Sequence, residues 1–357
     1  MNAPMLSRPV SLRVADLEDV IERARIGAYV HDHDRGSPFH LPAWSVAVAR
    51  GCGQRSHYLV AEGARGDVVG VMPLTEVRSA LFGKVLVSAG FGVDGGILAD
   101  DARIVGLLAA ESWRIAQDLG CTSMEVRGGA RPGPEWQVDD SHYLGFVADL
   151  ASDDDAQLLA IPRKQRAEIR KALDTALDIR FGGGPEDLKA HYAVYAESVR
   201  NLGTPVFPRR LFAEVLREFG QSADILTVHH AGAPVASVLS LYWKGTVYPY
   251  WGGGTFAARA LRANDRMYFE LMRHARTRGC RRFDFGRSKV GSGPAAFKKN
   301  WGFKGEPLVY YDRVAEGAQA RDASPLNPKY RLKIALWKRL PLFVANRIGP
   351  VIAKGLG

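Results

Sequence analysis

The residues best suited to chemistry crowd into one run, Phe283-Asp-Phe-Gly-Arg-Ser-Lys-Val-Gly-Ser-Gly-Pro-Ala-Ala-Phe-Lys-Lys-Asn-Trp-Gly302. The pattern predicts a short strand ending at Phe285, a glycine-rich loop, and a helix beginning after Pro294. Backbone N–H groups, Arg287, Ser288 and Lys289 then gather at the C-terminal end of a strand, where α/β folds place ligands. Lys298 and Lys299, beside Trp301, add charge that suits an anionic group, whereas Phe297 and Trp301 at i, i+4 read as core. The spacing matches neither G-x-x-x-x-G-K-S/T nor the strand-linked G-x-G-x-x-G, which argues against a nucleotide hydrolase or a dehydrogenase.

Other candidates are weaker. Glycines recur in Ser88-Ala-Gly-Phe-Gly-Val-Asp-Gly-Gly96 and in Tyr250-Trp-Gly-Gly-Gly-Thr255, after predicted strands, and serve equally for a tight turn or for close approach of a ligand. His31-Asp-His-Asp34 and His40 have metal-ligating types, but adjacent ligands in so short a loop seldom all point inward, and no metal is expected. Three cysteines without a C-x-x-C pair give neither a zinc knuckle nor a disulfide framework. No G-x-S-x-G elbow or Cys and His arrangement suggests a covalent hydrolase. A basic run, Arg163-Lys-Gln-Arg-Ala-Glu-Ile-Arg-Lys171, opens a helix predicted to reach about Leu177. Arg163, Arg166 and Arg170 share a face that suits phosphates on a nucleotide-linked sugar or on tRNA, or is simply solvated.

The elements that must position these residues read as a duplication. Ala116-Gln-Asp-Leu-Gly-Cys-Thr-Ser-Met-Glu-Val-Arg127 and Ala275-Arg-Thr-Arg-Gly-Cys-Arg-Arg-Phe-Asp-Phe-Gly286 align Gly120 with Gly279, Cys121 with Cys280 and Glu125 with Asp284. Each is a helix stopped by glycine and followed by a strand. The flanks repeat the order: a hairpin over 58–63 and 68–74 and a helix from Asp101 to Leu119, then a hairpin over 225–229 and 234–241, a strand at 246–251 and a helix from Ala263 to Thr277.

The 357 residues, 46% hydrophobic and 24% charged, suffice for two domains, divided near Asp153-Asp-Asp155 into 1–155 and 156–325, with a tail over 326–357. Seven Lys or Arg and no acid lie between Lys329 and Gly357, so the tail supplies most of the net +10. Leu332, Ala335, Leu336 and Leu340 share a helical face, Trp337 and Phe343 suit headgroup depth, and Pro341 begins a second short helix. The tail resembles an interfacial membrane helix more than a nucleic-acid arm; a packed C-terminal helix with outward lysines is the alternative. The N-terminus lacks a signal-peptide core, and no stretch approaches the roughly 20 apolar residues that span a bilayer. The expected location is the cytoplasm, peripheral on the inner membrane face.

Phe39-His-Leu-Pro-Ala-Trp44, Pro73-Leu74 followed by Ser79-Ala-Leu-Phe-Gly83 and Gly95-Gly96, Arg166-Ala-Glu-Ile-Arg-Lys171, Leu202-Gly-Thr-Pro-Val-Phe207, Phe283-Asp-Phe-Gly-Arg-Ser288 and Phe297-Lys-Lys-Asn-Trp-Gly302 together resemble the FemAB-like proteins, more narrowly the branch associated with exosortase and PEP-CTERM exopolysaccharide systems. The resemblance covers about residues 10–313. It implies an α/β (α+β) fold of two tandem GNAT-like acyltransferase domains, mixed sheets flanked by helices, to which the basic amphipathic tail is added. FemAB proteins move an amino acid from aminoacyl-tRNA to an amine of a lipid- or nucleotide-linked cell-wall peptide, and GNAT relatives move acyl groups from coenzyme A. Here the R/Q-x-x-G-x-G/A pyrophosphate loop is missing from Gly252–Asn264, as is an obvious coiled-coil insertion of the kind that engages tRNA. The donor, acyl-CoA or aminoacyl-tRNA, therefore stays open, and no tightly bound cofactor is expected.

An amine attacking an ester or thioester loses a proton while the carbonyl oxygen becomes negative, so the site needs a proton acceptor and oriented cations or N–H donors. Asp284 is the candidate acceptor or amine-orienting group, or a structural partner of Arg287. Arg287 and Lys298 stabilise the oxyanion or hold a phosphate. Tyr250, Trp251, Asn264 and Ser288 are lining candidates, and Thr204 with Pro205 shapes the acceptor entrance. The expected site lies in the second half, facing the interdomain cleft. The expected activity is N-acyl transfer to an amine of a cell-envelope, peptidoglycan or exopolysaccharide precursor. An inactive GNAT-like adaptor that binds a lipid-linked saccharide is the alternative.

Overall fold

The computed structural model describes residues 9–79, 83–318 and 331–357. In chain order the first elements are β1 (Ser11–Val14), α1 (Val20–Asp32), α2 (Pro42–Cys52), β2 (Arg55–Ser56), β3 (Leu59–Glu62), β4 (Val68–Met72), β5 (Leu74–Ser79), β6 (Gly83–Ser88), β7 (Leu98–Ala99), α3 (Ala102–Asp118), β8 (Ser123–Arg127) and β9 (Gln137–Asp139). There follow β10 (Tyr143–Asp149), α4 (Asp154–Ala160), α5 (Arg163–Leu173), β11 (Asp178–Gly182), α6 (Pro185–Leu202), α7 (Arg209–Phe219), β12 (Ala223–His230), β13 (Ala233–Trp243) and β14 (Thr246–Gly254). The chain closes with α8 (Ala258–Leu261), α9 (Ala263–Thr277), β15 (Arg282–Lys289), α10 (Gly293–Asn300), β16 (Gly305–Pro307), β17 (Tyr310–Val314), α11 (Arg331–Arg339) and α12 (Leu342–Ala353).

These elements form two compact units, one of Met1–Asp139, Val309–Asp322 and Gly355–Gly357, the other of Asp140–Leu308 and Ala323–Lys354. The first carries sheets ordered β1-β3-β4-β7 and β2-β5-β6-β8-β17-β9, and the second a sheet ordered β11-β12-β13-β14-β15-β10-β16. The mixed α/β architecture with helices on its sheets is the one expected. A cut at residue 155 misses two strands. β10 pairs antiparallel with β15, from Tyr143↔Lys289 to Asp149↔Arg282, and so belongs to the second unit. β17 pairs with β8 and β9 and belongs to the first. Edge-strand partners are chosen by long-range hydrogen bonding, which local composition does not report.

Each unit repeats one construction. In the first, α3 begins at Asp101, whose carboxylate accepts from the Ile104 N–H at 2.8 Å, and it buries Leu108, Trp113 and Ala116. It ends with Gly120 N–H donating to Gln117 O and Cys121 N–H to Ala116 O. In the second, α9 ends with Gly279 N–H donating to Arg276 O and Cys280 N–H to Ala275 O. Both are the same two-bond helix stop, with Gly120 at φ 68° and Gly279 at φ 77°. The strand that follows each stop pairs in parallel at two positions: Leu86↔Met124 and Val87↔Glu125 in the first unit, Thr246↔Arg282 and Val247↔Phe283 in the second. The second core then forms where Phe269, Met272, Phe283 and Phe285 meet between α9 and the sheet.

Two predicted elements differ from those observed. The basic helix α5 stops at Leu173 rather than Leu177, where the Thr175 hydroxyl turns back to Lys171 O at 2.8 Å. The stretch after Phe285 is strand to Lys289 rather than loop, because β10 supplies a pairing partner.

A Cβ at Gly279 would meet no atom within 4 Å, so substitution there tests backbone conformation alone. Gly279→Ala is expected to lower stability by about 1 kcal/mol. Urea unfolding should show a lower midpoint with an unchanged slope, and an unchanged midpoint would contradict the assigned role.

Candidate acyl-transfer site

β14 and β15 share ladder pairs at Thr246↔Arg282 and Val247↔Phe283, and none beyond them. Past that point the ladder stops, which leaves a break in the sheet's hydrogen bonding between residues 248–254 and 284–289. On the far side of β14 the register with β13 steps from Leu239↔Trp251 to Ser240↔Pro249, so Tyr250 is an extra, bulged residue.

Three consecutive glycines end β14 because helices close on it from both faces. A Cβ at Gly253 would stand 2.2 Å from the Ser198 hydroxyl of α6. One at Gly254 would stand 2.6 Å from Asn264 Oδ1 in the first turn of α9, and one at Gly252 would stand 3.1 Å from the Tyr268 hydroxyl. Asn264 Oδ1 and Thr255 Oγ1 are buried at this end without a hydrogen-bond partner. Buried acceptors and hydroxyls in that state invite a ligand or water. Tyr268, one turn beyond Asn264, lies edge-on to Phe285 at 4.7 Å and so links the end of β14 to β15.

On β15 the pairing with β10 steps from Val147↔Asp284 to Gly145↔Arg287. Gly286, at φ 70°, makes this bulge, a conformation that side chains seldom adopt. Asp284 Oδ1 accepts the Gly286 N–H at 2.8 Å and fixes the bend. Across it lies Lys298 of α10, whose Nζ donates to Gly286 O and Arg287 O, each at 3.0 Å. The ammonium also stands over the rings of Phe146 at 5.3 Å and Phe285 at 5.6 Å. With 8% exposure it is nearly out of water. Burial pulls its pKa from 10.5 to about 8, against the opposing attraction of Asp284, while Arg287 acts in the same direction as burial. α10 reaches this position because Ser292 caps it, its hydroxyl accepting from Ala295 N, and Pro294 stands in the first turn.

Asp284, Arg287, Ser288 and Lys298 therefore occupy one short stretch of β15 and α10. The Arg287 guanidinium lies over Tyr143 at 4.8 Å, and Ser288 is buried with an Oγ that has no hydrogen-bond partner. Tyr250 and Asn264 belong to the β14 side. Trp251 is buried, edge-on to Phe212 at 5.0 Å, and packs α7 on the sheet. Thr204 is exposed just after α6, where its N–H donates to Val199 O. On α5 the predicted face divides: Arg166 donates to Leu159 O and Ile161 O, whereas Arg163 and Arg170 are exposed. Among the described residues no group of three His, Cys, Asp or Glu is placed to hold a metal. Tyr268, Ser198 and Phe146 were not anticipated. Only the i, i+4 spacing of Asn264 and Tyr268 hinted at any of them.

Residues 163–299 match the acetyltransferase (GNAT) domain family. No protein of curated function matches the sequence. Among solved structures, FemX aligns over 91% of this chain and 100% of its own, with TM-score 0.64 and 14% identity. A tandem GNAT protein from the clavulanic acid biosynthesis pathway aligns over 87% and 100%, with TM-score 0.54 and 14% identity. The C-terminal domain (DUF2156) of a proposed lysylphosphatidylglycerol synthetase from Agrobacterium fabrum aligns over 82% and 91%, with TM-score 0.54 and 13% identity. The second half of the chain is thus similar to the GNAT domain family, and the fold along most of the chain's length is similar to that of FemX.

The lowered pKa of Lys298 has a consequence for stability. Between about pH 8 and pH 10.5 the unfolded chain keeps a proton that the folded protein has released, so this group makes stability rise with pH across that window. Lysine-selective NMR should find one titration near pH 8 that is lost in Lys298→Met, together with that part of the rise. A Lys298 midpoint at the ordinary value would contradict the burial.

Proposed function

We propose that the second unit is an N-acyltransferase that moves an acyl or aminoacyl group from an activated ester or thioester to an amine of a cell-envelope, peptidoglycan or exopolysaccharide precursor. The observation that carries this reading is the buried Lys298 ammonium, bound to the carbonyls of Gly286 and Arg287 beside Asp284, inside the stretch that matches the GNAT domain. An exosortase-associated exopolysaccharide setting rests on the sequence resemblance described above.

In the reaction the amine nitrogen bonds to the carbonyl carbon, the C=O electron pair moves onto oxygen, and the C–O or C–S bond then breaks. The leaving alcohol or thiol takes up a proton as the amine loses one. Two N–H groups of Lys298 are committed to backbone carbonyls, which aims the third and holds the charge still. A preorganised cation in a poorly solvated site stabilises a developing oxyanion far better than the same ion in water. Asp284, braced by the Gly286 N–H, orients the incoming amine. Positioning suits an aspartate better than proton abstraction, since the carboxylate is a weak base.

The donor lies in the break between β14 and β15, where an extended arm can use strand edges that are not laddered to each other. Asn264 Oδ1 and Thr255 Oγ1 supply polar partners at its end. The structural neighbours include an N-myristoyltransferase from Saccharomyces cerevisiae with bound myristoyl-CoA and the domain of the proposed lysylphosphatidylglycerol synthetase, so the fold accommodates acyl-CoA and also occurs in a proposed synthetase of an aminoacylated lipid. The exposed cations Arg163, Lys164, Arg170 and Arg259 provide a phosphate-binding surface for either donor.

The test is product formation from acyl-CoA and from aminoacyl-tRNA with an amine-bearing precursor, followed by mass spectrometry. Lys298→Met is expected to lower kcat about 100- to 1000-fold with the fold retained. The wild-type rate should fall as pH rises through about 8, because the charged lysine is the active form, and Lys298→Met should lack that limb. Undiminished turnover in Lys298→Met removes the assignment. Absence of turnover with every donor, while a saccharide precursor still binds, identifies an adaptor instead.

A further inference from the structure

The C-terminal helices turn their bulk the wrong way for a packed tail. Ala345, Gly349 and Ala353, at i, i+4 and i+8 of α12, are buried, and a Cβ on Gly349 would lie 3.2 Å from the Val206 backbone nitrogen. Small residues thus form the attached side. α11 is fixed at the end of α6, where Ile334 packs on Gly203 and the Arg200 guanidinium donates to Lys338 O at 3.2 Å. Four large apolar side chains point away, Leu332 at 70% exposed, Leu336 at 57%, Phe343 at 76% and Val351 at 65%, whereas Trp337, expected at headgroup depth, is half-buried with its indole nitrogen covered. Leu202, beside Gly203, adds another at 61%.

Cations interleave with these apolar groups. Lys333, Lys338, Arg339, Arg347 and Lys354 are all exposed, and no Asp or Glu occurs from residue 331 to the end. On α12 the order Phe343, Arg347, Val351, with Lys354 one turn on, alternates apolar and cationic groups along the outer side. Neither helix is long and apolar enough to cross a membrane.

We propose that the outer face of α11 and α12 seats the protein on the surface of an anionic lipid bilayer. Phe343, Leu336, Leu332 and Val351 enter the headgroup and acyl boundary, and the flanking lysines and arginines meet lipid phosphates. Charge selects this occupant. A second copy on the same face would set cations against cations, and a nucleic acid would leave four bulky aliphatic and aromatic groups without a partner. This inference stands apart from the acyl-transfer reading, since it uses none of the site residues.

Cosedimentation of the full chain with phosphatidylglycerol–phosphatidylcholine vesicles tests it. Binding is expected to these vesicles and not to phosphatidylcholine alone, and to weaken with salt. Leu336→Gln/Phe343→Gln/Val351→Gln should lower partitioning by at least about tenfold. Lys333→Gln and Arg347→Gln should each lower it about fivefold. All these residues are exposed, and unchanged circular dichroism and size will confirm the fold. Equal binding to both vesicle types, no binding, or an unaffected triple variant overturns the proposal. So does a dimer that the triple variant dissolves without any effect on vesicles, which would make the face a self-contact.

Discussion

An ammonium removed from water must be given partners, and Lys298 finds them in two consecutive backbone carbonyls that an unbroken ladder would not hold out to it. Gly286 and Arg287 are presented by a bulge on β15, and the bulge needs a residue at positive φ, supplied by Gly286. Asp284 holds the bend through the Gly286 N–H and lends the lysine an opposing charge. The partner strand that defines the bulge, β10, precedes the apparent boundary between the two halves of the chain yet pairs beyond it. Membership of that strand in the second unit and the chemistry of the site are therefore one requirement.

The first unit shows what the same frame does without these features. It has the same helix stop at Gly120, the same buried cysteine and the same short parallel pairing. Where the second unit has Asp284 and Gly286, it has Glu125 and Arg127, and Arg127 Nε donates to Glu125 Oε1 at 2.5 Å while Nη1 donates to Gly92 O. Acid and base there satisfy each other and the backbone. The second unit separates them, committing the acid to a backbone N–H and the lysine to backbone carbonyls, an arrangement that on the proposed reading holds the ammonium toward a reacting group.

What could be read in the sequence was what local chemistry dictates. The glycine stops at Gly120 and Gly279 repeat with their neighbours, and α9 runs from Ala263 to Thr277 as its apolar spacing requires. The grouping of Asp284, Arg287 and Lys298 was also legible, because all three lie within fifteen residues of chain. The parts hidden from sequence depend on distant partners. Gly-Arg-Ser reads as a loop until β10 is placed beside it, and Trp251 reads as a ligand contact until Phe212 is seen against its ring. Three glycines in a row do not say whether they serve a turn or, as here, the approach of Ser198 and Asn264. Helical periodicity in the tail identified Leu332 and Leu336 as sharing a face but could not say that the face points outward, since that follows from the small residues of the next helix.

On the proposed reading the reacting carbonyl is presented to Lys298 at the β15 bulge. A crystal structure with a non-hydrolysable acyl or aminoacyl donor tests it most directly. The donor arm is expected between the unladdered ends of β14 and β15, with its carbonyl oxygen at about 3 Å from Lys298 Nζ. A donor bound elsewhere, or one whose carbonyl lies beyond reach of that ammonium, would contradict it.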